Sequence, residues 1–168
     1  MSSCAQANLI GSQYRVAFAA GCGDLDLATA TFEEFGTINS KALDFSGNTT
    51  DNTSDLSGGV NSNLVTTIGG DITVSGWLQK TDTALVAVQQ KITKYFIDET
   101  QNPANQPCGW LKCWAEGMPM GFYIFTNITQ GPGIGGGTND VITFSMTFSV
   151  TSTNINGVNA IQHFDPTV

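Results

Sequence analysis

The sequence predicts a mainly β protein, an antiparallel sheet with one α-helix packed against it. Three observations carry this. Ile142, Phe144, Met146, Phe148 and Val150 alternate with Thr143, Ser145, Thr147, Ser149 and Thr151, a period of two that marks a strand with one buried face. Charged residues make up only 12% of the chain while glycines number 19, a composition of short strands and turns. Leu85, Val88, Ile92, Tyr95 and Phe96 recur at helical spacing and form the one convincing amphipathic stripe. A chain of 168 residues fits a single domain with enough length to bury a core.

In chain order, residues 1–11 are expected to form an N-terminal arm. Tyr14, Val16 and Phe18 alternate with polar or small residues and predict a strand, ended by Gly21-Cys22-Gly23-Asp24. A strand pair or bend follows around Gly36. Residues 43–63 differ: from Ser46 to Asn63 only Leu56 and Val60 are sizeable and apolar. Such a stretch buries too little surface to offset its own ordering entropy. It reads as a long loop, either a disordered insertion or a segment that orders on a neighbouring subunit. Leu64 to Trp77 resumes strand character with a bend at Gly69-Gly70. The helix is expected from Thr81 to Ile97, with Thr81 or Asp82 as its cap and Lys91 and Lys94 favouring its C-terminal dipole. Gln89, Gln90, Thr93 and Lys94 are expected to face outward, and Asn102-Pro103 stops the helix. Cys108–Glu116, Gly121–Thr129 and Asp140–Ser152 read as an antiparallel meander, with glycine-rich residues 130–139 as a hairpin tip. Residues 153–168 are expected to be a C-terminal tail or a loose edge strand.

Charge narrows the function. The net charge is −8, and Glu116, Asp140 and Asp165 have no Lys or Arg for company after residue 112. Without a basic patch, tight nucleic-acid binding is excluded, although a polyanion could pass without adhering. No cationic, apolar leader is recognisable at the N-terminus and no apolar run approaches the length of a membrane span, so the thiols are expected to be reduced where the protein is made.

No constellation supports catalysis, a metal or a cofactor. His163 is the single histidine and lies in a polar tail. Cys4, Cys22, Cys108 and Cys113 lack zinc-ligand spacing and read as core thiols, with a Cys4–Cys22 disulfide left open. Gly131-Pro-Gly133-Ile-Gly-Gly136 matches a nucleotide-loop pattern by letter, but a strand and not a helix follows. Glu33-Glu34 and Asp98-Glu99 are adjacent pairs and not acid–base dyads. Trp77, Trp110 and Trp114 fit a core or subunit interface, or else sugar-stacking platforms of a glycan-binding sandwich.

The segment order also resembles the tail tube proteins of long-tailed bacteriophages. Its carriers are Phe35-Gly36-Thr37-Ile38, Leu43-Asp44-Phe45-Ser46-Gly47-Asn48, Asp51-Asn52-Thr53-Ser54, the glycine-rich lead-in to Asp71–Trp77, the single helix, Gly121-Phe122-Tyr123-Ile124-Phe125 and Phe144 to Val150. The resemblance implies a β-sandwich or partial barrel flanked by one helix, with copies closing hexameric rings that stack into a tube for DNA ejection. It implies that the long loop, with Asp44, Asn48, Asp51, Thr53, Ser54 and Asp55, reaches the adjacent ring. The hydroxyl row of Thr143, Ser145, Thr147, Ser149 and Thr151 then becomes a candidate lumen wall. Implied partners are further copies of the chain, a tape-measure protein, a tail terminator and baseplate or tail-tip proteins. The implied location is the virion tail, after assembly in the host cytoplasm.

Overall fold

The computed structural model describes residues 14–35, 38–51, 63–77, 84–115, 117–118, 120–138 and 142–166. The elements are β1 (Tyr14–Ala20), β2 (Glu33–Glu34), β3 (Ile38–Asp51), β4 (Asn63–Trp77), α1 (Ala84–Thr100), β5 (Cys108–Ala115), β6 (Gly121–Gly135), β7 (Thr143–Val150) and β8 (Ile161–Phe164). The sheet order is β2-β1-β5-β6-β7-β4-β3, with β8 paired to the first half of β6. Every strand pair is antiparallel. The meander expected from residue 108 to 152 is present as β5, β6 and β7.

The sheet rolls into an open partial barrel. Lys41 on β3 donates a hydrogen bond to the Tyr14 carbonyl on β1, near the other end of the strand order. The Phe45 ring of β3 stands 6.3 Å from that of Phe122 on β6. The two ends thus meet through side chains, and among the described residues no ladder joins β3 to β1.

The concave face holds the core. Phe144, Met146 and Phe148 of β7 are at most 1% exposed and stand level with Ile72 and Val74 of β4. Val16, Phe18, Leu111, Cys113, Ile124 and Ile128 extend the same face across β1, β5 and β6. Helix α1 covers it with Val88, Ile92, Tyr95 and Phe96, and the Tyr95 hydroxyl donates to the Cys108 carbonyl at 2.7 Å.

Several local expectations change. Gln89 is 1% exposed, not outward-facing. At 100° per residue it lies on the flank of the apolar stripe, three positions before Ile92. The helix runs on to Thr100, so its last turn carries Asp98 and Glu99 and no cation. Lys94 meets this acidic end by pairing with Asp98 one turn on. The expected capping residues, Thr81 and Asp82, lie outside the described residues. Gly69-Gly70 does not bend the chain, because β4 runs through it in register with Ser46 and Phe45.

Residues 130–135 are not a hairpin tip but the end of β6, which shifts register against β7 after Ile128 and again after Gln130. Phe96 of α1 seats on this irregular stretch. A Cβ on Gly131 would stand 2.3 Å from the Phe96 ring, so glycine there allows the close approach of helix and strand. The tail is anchored too. Strand β8 pairs with residues 121–124 of β6, and Phe164 stacks on Tyr123 at 4.5 Å.

The convex side has a small core of its own under the loops. Trp110 is 0% exposed, lies 5.2 Å from Phe125, and donates its indole N–H to the Cys22 carbonyl. Both rings lie on the outer face of β5 and β6, and the covering loop buries Trp110 there, in keeping with its reading as a core residue.

Candidate functional site

Two features stand out on the second half of the sheet: a hydroxyl-rich outer face and a projecting ribbon. The outer face follows from the period of two. Thr143, Ser145, Thr147 and Ser149 oppose Trp77, Ser75, Thr73 and Asp71 of β4. Their strand neighbours Phe144, Met146 and Phe148 point inward and are buried. On β3, Ala42 and Asp44 continue the rows of Thr73 and Asp71.

The hydroxyls are hydrogen-bonded to groups on the neighbouring strands. Thr129 shares a hydrogen bond with Ser149 at 3.0 Å, and Ser149 donates to Asp71 Oδ1 at 2.5 Å. The Thr147 hydroxyl donates to Gln130 Oε1 at 3.2 Å, and the Thr143 hydroxyl to the Gly135 carbonyl at 3.0 Å. Asp44 and Asp71 stand directly opposite each other on this face. Like charges in register weaken a strand pair. Among the described residues of β3, β4, β7 and the second half of β6, no Lys or Arg shares the face, since Lys41 is level with inward-facing Val74. Among the described residues this face is therefore hydroxyl-rich and anionic, with no cation to hold a phosphate.

Thr151 departs from the row. It lies beyond the end of β7 and lines a cleft with Cys22, Cys108 and Asn127. The other four residues of the hydroxyl row share the exposed face.

The expected loop over 43–63 needs correcting at both ends. Residues 43–51 belong to β3, and β4 begins at Asn63. Asp44, Asn48 and Asp51 are strand residues, while Thr53, Ser54 and Asp55 lie outside the described residues. Strand β7 reaches β4 only as far as Asp71, so residues 63–70 pair with β3 alone. The result is a two-stranded ribbon that projects about 25 Å beyond the sheet. Backbone pairing satisfies its polar main chain. A two-stranded ribbon is marginal in water by itself.

Other candidate sites disperse. Glu33 pairs with Lys91 and Glu34 with Arg15, so the two carboxylates turn to different partners. His163 is exposed on β8. Trp110 is buried, Trp114 contacts Lys112 on the first half of the sheet, and Trp77 is 49% exposed at the far end of β4. The three tryptophans do not form one platform. Among the described residues, no cluster of three metal-ligating side chains occurs and no helix is long and apolar enough to cross a membrane. Burial pushes the Cys113 thiol up to about 11, as befits an inert core sulfur.

The hydroxyl face predicts a mild response to charge. Thr147→Arg removes one partly exposed hydrogen bond and is expected to cost about 1 kcal/mol or less. Thermal melting of the variant checks this, and a loss of several kcal/mol would show that Thr147 is packed and not wet.

No family model and no curated protein matches the sequence. Solved structures do share its fold. A chain from the tail of an empty gene transfer agent particle, refined with C6 symmetry, matches with a TM-score of 0.65 at 15% identity, over 94% of this chain and 99% of that one. The SPP1 tail tube matches with a TM-score of 0.57 at 12% identity, over 94% of this chain and 80% of the other. A chain of the six-fold symmetrised baseplate of the anti-feeding prophage matches with a TM-score of 0.54 at 8% identity, over the full length of both. At these identities the likeness is one of fold. The chain has the phage tail-tube fold: one open antiparallel sheet with a single helix.

Proposed function

We propose that the chain is a structural tail protein that closes hexameric rings with its own copies, and that the rings stack into a tube through which DNA leaves the virion. The observation that carries this reading is the broad, hydrogen-bonded hydroxyl and aspartate face with no cation on it among the described residues. Turned toward a lumen, it would let a polyanion slide without being held. The likeness of fold to tail and tail-tube structures supports the same reading.

The ribbon of β3 and β4 is assigned to contact between successive rings. Its marginal stability alone fits a segment whose ordering is completed by a neighbour. Head-to-tail contacts that close by rotation and repeat along an axis produce a stacked tube. A tape-measure protein inside, a tail terminator and baseplate proteins at the ends are the partners this role requires. Assembly in the host cytoplasm precedes incorporation into the virion tail. The role needs no enzymatic chemistry and no cofactor.

Negative-stain microscopy of concentrated protein tests the reading. Six-fold rings or tubes are expected, alone or with tail-initiating proteins added. Persistent monomers under both conditions would overturn it.

A further inference from the structure

Two cysteines far apart in sequence meet at the junction of β1 and β5. The two strands are in register up to the pair Ala20 and Gly109. One step further, the Gly21 amide donates to the Cys108 carbonyl at 3.5 Å, and the Cys108 thiol lies 3.6 Å from the Gly21 carbonyl oxygen. This sets Cys22, the next residue, beside the start of β5, where Cys108 lies. Cys22 is exposed and Cys108 partly so, whereas Cys113 is buried. Both sulfur-bearing residues line one cleft of about 220 Å³, shared with Gln106, Asn127 and Thr151.

We propose that Cys22 and Cys108 form a redox-dependent bridge that stays open in a reducing compartment and closes once the protein meets an oxidising low-molecular-weight disulfide. Both cysteines line one accessible cleft, where a small disulfide can reach them and thiol–disulfide exchange can proceed. With oxidised glutathione as oxidant, the Cys22 thiolate attacks one glutathione sulfur, forms a mixed disulfide and releases one glutathione thiolate. The Cys108 thiolate then attacks the Cys22 sulfur and expels the second. Two protein thiols lose two protons and two electrons, and one glutathione disulfide becomes two glutathione thiols. Exposure makes Cys22 the first sulfur to meet the oxidant. Burial raises the pKa of Cys108 and so disfavours its thiolate, which leaves the first attack to the exposed Cys22.

The consequence is mechanical. Cys22 carries the carbonyl that accepts the Trp110 indole hydrogen, so its loop is already tied to the convex core by one hydrogen bond. A covalent bond from the same residue to the start of β5 closes a long loop of chain and constrains the unfolded state. The reaction belongs to the monomer and stands whether or not rings form.

The test treats the intact protein with an excess of oxidised glutathione, then counts free thiols after denaturation and maps peptides by mass spectrometry. Free thiols are expected to fall from four to two, with a single linked peptide pair joining Cys22 to Cys108. The melting temperature is expected to rise by roughly 5–15 °C and to return on treatment with dithiothreitol. Cys22→Ser and Cys108→Ser should each abolish the linked pair and the rise. Four persisting thiols, or a bridge mapped to Cys4 or Cys113, would overturn the proposal.

Discussion

Excising residues 47–68 and joining Ser46 to Gly69 through an Asn-Gly turn is expected to leave a folded monomer that cannot build the proposed tube. The reason lies in where β7 stops. Its last partner on β4 is Asp71, so every described residue removed lies beyond the three-stranded part of the sheet. Among the described residues no buried core side chain is lost, because Ile72 and Val74 of β4 follow the junction. Ser46 and Gly69 are already opposite one another, and a two-residue turn closes such a pair with the native twist. The excision takes away Ile68, which is 63% exposed and therefore contributes little to the monomer. The melting temperature should stay within a few degrees of the parent, while microscopy should show at most single rings. Loss of the cooperative melt would place the ribbon in the folding core. Tubes of normal length would remove it from the contact between rings.

How far the sequence could be read follows from what it encodes locally. The alternation in β7 and the stripe of α1 announce themselves because each element buries one face. Strand β3 is exposed from Ser46 to Thr49, so its Ser, Gly, Asn and Thr residues look like a loop. Its order comes from main-chain pairing with residues 63–70, and that partnership has no signature in composition. The same holds for the end of β6, where glycines that suggest a flexible tip instead admit Phe96. The hydroxyl row of the candidate wall was legible as a strand face, but its anionic edge was not. Asp44 and Asp71 become neighbours only through the β3–β4 register. Cys22 and Cys108 meet only because β1 pairs with β5 across the whole intervening chain. Strand order is set by long-range packing, which local pattern does not record.

Phe148→Ala is expected to be among the most destabilising single truncations, at about 3–5 kcal/mol. Phe148 is 0% exposed and stands between Ile72 on β4 and Ile128 on β6. Its ring lies 5.8 Å from those of both Phe18 and Phe35, so it ties β1 and the segment after β2 to the opposite half of the rolled sheet. These neighbours sit on strands held by their own ladders or, for Phe35, by an amide bonded to the Val16 carbonyl. They cannot collapse far into the vacated space, and the cavity term is then near its full value. Urea denaturation of the monomer, under conditions that prevent assembly, measures the loss, and thermal melting should fall by about 10 °C or more. A loss below about 1.5 kcal/mol would mean that the interior closes around the hole and is softer than ladder-bound strands allow. The adjacent substitution, Thr147→Arg, gives the contrast that matters for the proposed tube. One residue along the same strand, the side chain crosses from the core to the wall. If β7 is both spine of the subunit and lining of the channel, even positions should govern stability and odd positions the passage of DNA, each without disturbing the other.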